Sequence, residues 1–195
     1  LARPDGGHLV ALHAEATIRA QHSVFAPALS AELVGEMRGL QAARAKTLEA
    51  EFRAALASAG QDGDYRHAFG DPAAALATAS YYADLLVFDR ISADDPEDAL
   101  FGSVAETLAL SAACPMLFVP ETFQAPDQVG RHIAIAWKES REAARAVHAA
   151  LPLLKTATRV LIYVVKAGGN DPPGLANLRH HLGQHVGVLP VDVID

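Results

Sequence analysis

The apolar and polar positions of the chain follow two alternating periods. Short apolar runs, which predict strands, occur at 8–14, 65–69, 85–88, 116–119, 132–137, 159–165 and 188–194. The stretches between them carry apolar residues at every third or fourth position and predict helices over 29–56, 71–82, 103–111, 140–154 and 175–185. Strands that alternate with helices and are mostly apolar on both faces predict an α/β protein whose parallel sheet is covered by helices.

One segment interrupts this alternation. The stretch "PETFQAPDQVG" contains two prolines and no periodicity, which predicts a linker at 121–130. Residues 1–14 and 153–165 are weakly similar, since each has a helix end, a turn and a strand. If they correspond, residues 1–120 hold the last four strands of one domain and 131–195 the first three strands of a second. Both domains are then incomplete in this chain.

Composition narrows the class of protein. The chain has 16 basic and 23 acidic residues, a net charge of −7, which argues against nucleic-acid or anionic-membrane partners. No apolar run approaches the roughly 20 residues that cross a bilayer. The single cysteine, Cys114, cannot form an internal disulfide. These features predict a cytoplasmic protein.

Three segments carry a family resemblance: "GDPAAALATASYYADLLVF", "FGSVAETLALSAACPMLFVP" and "HIAIAWKESREAARAVHAALPLL". In order and spacing they resemble the universal stress protein family, in its tandem bacterial form. The resemblance implies an open parallel five-stranded sheet of order 3-2-1-4-5 with helices on both faces. It also implies a homodimer, or pairing of tandem domains, through the sheet edge.

The family's ATP-binding members carry Gly-x-x-Gly, nine residues, then Gly-Ser. Gly102 and Ser103 match the end of this motif, whereas Asp89 and Ser92 stand at the two earlier glycine positions. Glycine is needed there because the backbone must approach the phosphates closely. Asp89 also adds a negative charge that repels a polyphosphate. The resemblance therefore implies a degenerate nucleotide loop, and in the second domain Lys138 replaces the family's first-strand aspartate.

Two functions remain open on this reading. The first is a non-catalytic stress-response protein, an interaction or assembly module without a cofactor. The alternative is an ATP or AMP sensor that holds its nucleotide through the loop of Gly102 and Ser103. An enzyme of the related ATP pyrophosphatase class would carry Ser-Gly-Gly-x-Asp-Ser after the first strand, and "AWKESRE" does not match it.

Other chemistry-bearing residues have plainer interpretations. His181 and His185 lie four apart, a spacing that can hold a metal, but Gly183 weakens the helix and a solvated polar face is predicted instead. We expect no metal ligands and no catalytic residues. Cys114, which lacks a basic neighbour in the sequence, is expected to be a buried, unreactive thiol.

The order 3-2-1-4-5 raises a question about completeness. It places the first strand between the strands at 8–14 and 85–88, and the sequence before residue 8 has none. Unpaired backbone groups in a buried gap would cost roughly 1–3 kcal/mol each. Either 132–137 inserts between the two strands, or residues preceding Leu1 supply the missing one. We favour the second.

Overall fold

A computed structural model of the chain describes residues 7–17, 31–89, 96–120, 123–124, 128–164, 174–186 and 191–194. It divides into two compact units, Leu1–Leu117 (unit 1) and Phe118–Asp195 (unit 2). Its elements are β1 (Leu9–Glu15), α1 (Ala31–Ala59), β2 (Gly63–Phe69), α2 (Pro72–Ser80), β3 (Leu86–Asp89), α3 (Pro96–Ser111), β4 (Met116–Val119), β5 (His132–Trp137), α4 (Arg141–Leu154), β6 (Arg159–Val164), α5 (Leu175–Val186) and β7 (Val191–Ile194).

The predicted α/β class is confirmed. Strands β4 and β5 have the predicted bounds, and β1 pairs with β2 in parallel, with Leu9 opposite Gly63 and Glu15 opposite Phe69. Strands β5, β6 and β7 form a three-stranded parallel sheet in that order. At α2, Asp71, the first residue of the helix predicted over 71–82, is the N-cap, since its Oδ1 accepts a hydrogen bond from Ala73 N at 2.9 Å.

Unit 2 has a well-defined core. It lies where alternate residues of β6 meet α4 and α5, because residues two apart on a strand share a face. The buried members are Ile135, Val147, Leu154, Ala157, Val160, Ile162, Val164, Leu175, Leu178 and Leu182. On the other face, Ala134, Ala136 and Tyr163 are exposed. The expectation of helices on both faces is therefore not met by the described residues of this unit.

Unit 1 contains the two-stranded sheet β1–β2, and a second two-stranded sheet pairs β3 with β4, which runs across the unit boundary at Leu117. Insertion of 132–137 between β1 and β3, the less favoured of the two expected ways to complete the sheet, is not seen within the chain, because β5 pairs with β6. Among the described residues no strand lies between β1 and β3, so the chain as it stands does not form the order 3-2-1-4-5. The gap between the β1–β2 sheet and the β3–β4 sheet falls where the order 3-2-1-4-5 places its first strand. A strand supplied by residues outside this sequence stays a prediction.

The split leaves apolar side chains in contact with solvent. The strands at 85–88 and 116–119 were expected to be buried, but Val87 is 57% exposed and Phe118 46%. Helix α1 likewise exposes Leu40, a member of its predicted apolar stripe, to 72%. A strand is buried on both faces only when another layer of the structure packs against each face. The described residues of unit 1 supply only part of one such layer.

Helix α3 begins earlier than its pattern predicts. The predicted start was Ser103, whereas the helix starts at Pro96, where proline fits a first turn because it needs no hydrogen-bond donor there. Gly102 is tolerated inside the helix, although glycine at such a position is unfavourable. Ser103 is therefore not an N-cap.

Candidate functional site

A cleft in unit 2 opens at the carboxyl end of β5. It has a volume of about 500 Å³ and lies against the beginnings of α4 and α5. Its lining residues are Trp137, Glu139, Ser140, Arg141, Ala144, Val147, His148, Gly174, Asn177, Leu178 and His181. In open parallel sheets ligands bind beyond the carboxyl ends of the strands, so this is a candidate ligand site by position.

The first wall of the cleft is the start of α4. Ser140 has extended backbone angles, φ −149° and ψ 158°, and its Oγ accepts a hydrogen bond from Ala143 N at 3.2 Å. The serine thus caps the helix, and its hydroxyl oxygen is engaged with the backbone. This cap fixes where the chain turns from β5 into α4.

The second wall is the start of α5. Gly174 has a φ of +77°, a backbone conformation that residues other than glycine rarely adopt. A Cβ at this position would collide with the carboxylate of Glu139. The glycine therefore lets Glu139 approach the amino end of α5, where the helix dipole favours negative charge.

Two buried polar atoms in this region have no hydrogen-bond partner among the described residues: Trp137 Nε1 and His181 Nε2. Buried nitrogen atoms of native proteins nearly always have a partner, and each exception calls for an explanation. Both residues line the cleft. Because these two nitrogen atoms expose almost no surface to solvent, a ligand or water in the cleft would bind them only after a small rearrangement of the side chains.

His181 also belongs to a group of aromatic rings. Its ring lies edge-on to that of His148, with centroids 5.1 Å apart, and 4.5 Å from that of His185. Burial lowers the pKa of His181 from its ordinary value of 6.5, and the neighbouring His185, His148 and His180 lower it further. The prediction of a solvated face holds for His180 and His185, which are exposed, and is wrong for His181, which is half-buried.

The residues of the predicted nucleotide loop lie in unit 1. Asp89 is the last residue of β3, Gly102 and Ser103 lie within α3, and Ser92 falls outside the described residues. Only the N–H groups of the first turn of an α-helix lack an intrahelical acceptor, and Gly102 and Ser103 lie beyond the first turn of α3, which starts at Pro96. The backbone N–H groups of Gly102 and Ser103 are therefore engaged within the helix.

Cys114 lies just after α3. It is half-buried, and burial raises the pKa of its thiol, partly offset by backbone hydrogen bonds at Leu86 and at Cys114 itself. A raised pKa disfavours the reactive thiolate. This agrees with the expectation of an unreactive thiol.

Sequence reasoning missed a cluster on β1 and β2, formed by His13, Glu15 and His67. Glu15 lies 3.3 Å from His13 Nε2 and 2.9 Å from His67 Nε2. Burial lowers the pKa of His13 from its ordinary value. The charge of Glu15 raises this pKa, whereas His67 and Arg44 lower it further. The i, i+2 spacing of His13 and Glu15 was visible in the sequence, but His67 is 52 residues from Glu15 and only strand pairing brings it close.

Comparison with known proteins places the chain in a family. The profile of the Universal stress protein family matches residues 1–120 of the 195. The chain belongs to the universal stress protein family. Among curated proteins, none matches it in sequence. No helix among the described residues is long and apolar enough to cross a membrane.

Solved structures support the same fold. A universal stress protein from Archaeoglobus fulgidus is similar to 87% of this chain, with a TM-score of 0.66 and 18% identity. The chain spans 62% of the length of that protein. An aspartate transcarbamoylase from Trypanosoma cruzi, in complex with N-(phosphonacetyl)-L-aspartic acid, is 17% identical over 97% of this chain and 56% of its own. Its TM-score of 0.26 is too low to carry any argument.

Proposed function

We propose that this stress protein is a non-catalytic interaction or assembly module whose unit 1 loop does not hold a nucleotide. The observation that carries the proposal is the start of α3 at Pro96. It puts Gly102 and Ser103 inside the helix, where their N–H groups are not free to bind phosphate. Asp89, at the end of β3, adds a charge of the wrong sign for a polyphosphate.

The exposed apolar surface of unit 1 supports the assembly role. Tyr82 is 90% exposed, Leu110 93% and Phe69 64%. Exposed large apolar side chains that gather into a patch mark contact surfaces. We expect the missing neighbour to be a second copy of the chain or a tandem domain, paired through a sheet edge. Light scattering of the purified chain measures this, and a monomer at micromolar concentration contradicts the homodimer.

The nucleotide part of the proposal is tested by titrating the chain with ATP and Mg²⁺ and measuring thermal stability. A ligand at 100 times its Kd adds about 2.7 kcal/mol to stability, so real binding is easily seen. We expect no shift up to millimolar ATP and no hydrolysis. A saturable shift that is weakened by Ser103→Ala supports the sensor alternative instead.

A gain-of-function variant tests whether the loop is the obstacle. Changing Asp89 and Ser92 to glycine, and neutralising Asp94 and Asp95 as asparagine, restores backbone freedom and removes repulsion. We expect this variant to bind ATP more tightly than the parent chain. If both proteins bind ATP equally and negligibly, the loop is not what prevents binding. The cause would then be the central strand, which the described residues of unit 1 do not include.

A second candidate function is the binding of a small polar ligand in the unit 2 cleft. It is favoured by the unpartnered Trp137 Nε1 and His181 Nε2 and by a volume that suits a small molecule. Trp137 is the chain's single tryptophan, so its fluorescence reports on this cleft alone. We expect titration with adenosine or AMP to change that fluorescence if the cleft is used, with His181→Gln weakening the response. An unchanged spectrum at millimolar ligand excludes both compounds.

A further inference from the structure

Three side chains with metal-binding atoms converge on the β1–β2 sheet of unit 1. His13 and Glu15 are two residues apart on β1 and share a face, and His67 is the register partner of His13 on β2. One ligand atom from each of the three lies within 4.8 Å of the others. The pairing register therefore assembles the cluster.

The distances within the cluster suit a small metal ion. Glu15 Oε1 lies 3.3 Å from His13 Nε2, and Glu15 Oε2 lies 2.9 Å from His67 Nε2. A tetrahedral zinc ion with bonds of about 2.0–2.2 Å holds its ligand atoms roughly 3.3–3.5 Å apart. The ligand atoms of all three side chains lie within 4.8 Å of one another, and binding one ion requires the two stacked imidazole rings to turn out of their parallel arrangement so that both lone pairs point at it.

A hydroxyl group orients one of the ligands. His13 Nδ1 is 2.9 Å from the hydroxyl oxygen of Tyr65, which accepts a hydrogen bond from that nitrogen in the tautomer protonated at Nδ1. A proton on Nδ1 leaves the lone pair on Nε2, the nitrogen that faces Glu15. Metal-bound histidines are commonly held by such a hydrogen bond at their second nitrogen.

The other histidine packs against two rings in the metal-free chain. The imidazole of His67 stacks on that of His13, with centroids 4.7 Å apart and planes 5° from parallel, and it also contacts the ring of Phe69 at 4.3 Å. The side chains of His13, Glu15 and His67 are 14%, 11% and 22% exposed. The cluster is thus largely shielded from solvent.

We propose that His13, Glu15 and His67 bind a divalent transition-metal ion of the Zn²⁺ class, with the fourth coordination position open to water. Two imidazoles and one carboxylate suit zinc, cobalt, nickel and copper, whereas magnesium and calcium prefer sets made of oxygen atoms alone. The ion joins β1 to β2. The competing interpretation is a metal-free cluster in which Glu15 accepts hydrogen bonds from both histidines.

The test is a titration of the full chain, first stripped with EDTA, with ZnCl₂ in a calorimeter. We expect one Zn²⁺ per chain at this site, no binding of Mg²⁺, and with Co²⁺ the visible absorption bands of a four-coordinate ion. Glu15→Gln and His67→Asn should abolish this binding. Tyr65→Phe should keep the site but weaken its affinity about 10–100-fold. His180→Asn, an exposed histidine on α5 in unit 2, is the matched control and should change nothing.

The variants also separate a true site from adventitious binding to the nine histidines of the chain. Far-UV circular dichroism of each metal-free variant shows whether it folds. If a ligand variant does not fold, Tyr65→Phe, which retains all three ligands, still tests the site. Unchanged stoichiometry and an unchanged Co²⁺ spectrum in Glu15→Gln and His67→Asn overturn the proposal. Binding that survives in these variants but is lost in His181→Asn assigns the metal to unit 2, which overturns it equally.

Discussion

Ser80 shows how one side chain connects two segments of unit 1. It is 1% exposed, and its Oγ donates to Ala77 O at 2.6 Å and accepts from Ala113 N at 2.9 Å. The second bond attaches the end of α2 to the segment that leads into β4. A short polar residue at the end of an alanine-rich helix gives no sign of this in the sequence, because its partner is 33 residues away.

Removing this hydroxyl tests the connection. Ser80→Ala removes the acceptor of the part-buried hydrogen bond from Ala113 N, and we expect a loss of about 0.5–1.5 kcal/mol in the free energy of unfolding. Thr78→Ala is the control, because the hydroxyl of Thr78 makes a similar bond to Ala74 O but is exposed. Urea unfolding followed by circular dichroism compares them. Equal effects of the two variants contradict the role of Ser80.

His181 makes the stability of unit 2 depend on pH. Its pKa in the folded chain lies below the ordinary value of 6.5, so below that pH the unfolded chain binds more protons. The stabilisation that its neutral form provides is fully present above pH 6.5. The free energy of unfolding falls as the pH drops below 6.5 towards the lower pKa that His181 has in the folded chain. We expect the Trp137-detected melting temperature to fall between pH 7 and 5, and His181→Gln to flatten this dependence. His132→Gln, at an exposed position of β5 whose histidine is not among the neighbours that lower the pKa of His181, should leave the profile unaltered.

At the scale of elements, glycines decide how closely strands approach. Gly63 begins β2 opposite Leu9, and a Cβ there would collide with the backbone oxygen of Leu9. By contrast, Gly39 lies on α1 with nothing within 4 Å of an added Cβ. The same substitution therefore has opposite consequences in the two elements.

We expect Gly63→Ala to destabilise unit 1 by about 1–3 kcal/mol, because the strands must separate to admit the methyl group. Gly39→Ala should stabilise it by about 0.5–1 kcal/mol, because alanine favours the helix. Urea unfolding monitored by circular dichroism gives both values. A neutral Gly63→Ala would mean that β1 and β2 tolerate a looser pairing than the structure shows.

At the scale of the whole molecule, the two units differ in how fully they bury their apolar residues. Unit 2 has a contiguous core, with Leu154 and Ile162 both 0% exposed. Few of the described residues of unit 1 are buried, and large apolar residues are exposed on five of its elements, such as Leu9, Val87 and Leu110. This contrast supports the proposal that unit 1 needs a further layer, supplied by a partner or by more of the chain.

The core of unit 2 is tested by Leu154→Ala. Truncating a fully buried leucine costs about 2–5 kcal/mol through lost burial and the cavity it leaves. We expect the unfolding midpoint reported by Trp137 fluorescence to fall accordingly. Val129→Ala, at a position that is 40% exposed in the same unit, should move it little. A small effect of Leu154→Ala would show that this core repacks easily.

The sequence by itself determined the α/β class, the alternation of elements, the capping of α2 by Asp71 and the family. These depend on periodicity, capping residues and motifs, all of which are local in the chain. The start of α3 was mistaken because the Gly-Ser pair looked like a helix boundary, whereas Pro96 had already begun the helix. Two local signals for a helix start were present, Pro96 and the Gly-Ser pair. Rules based on short sequence patterns do not decide which of the two begins the helix.

The tertiary structure alone decided which strands pair and what meets between them. The His13–Glu15–His67 cluster exists because β1 and β2 pair in one register, and a shift by one residue would turn its members to opposite faces. The unit 2 cleft combines β5 with the starts of two helices, one of them almost 40 residues further along the chain. Contacts between residues so far apart in sequence depend on packing, which no short pattern of residues encodes.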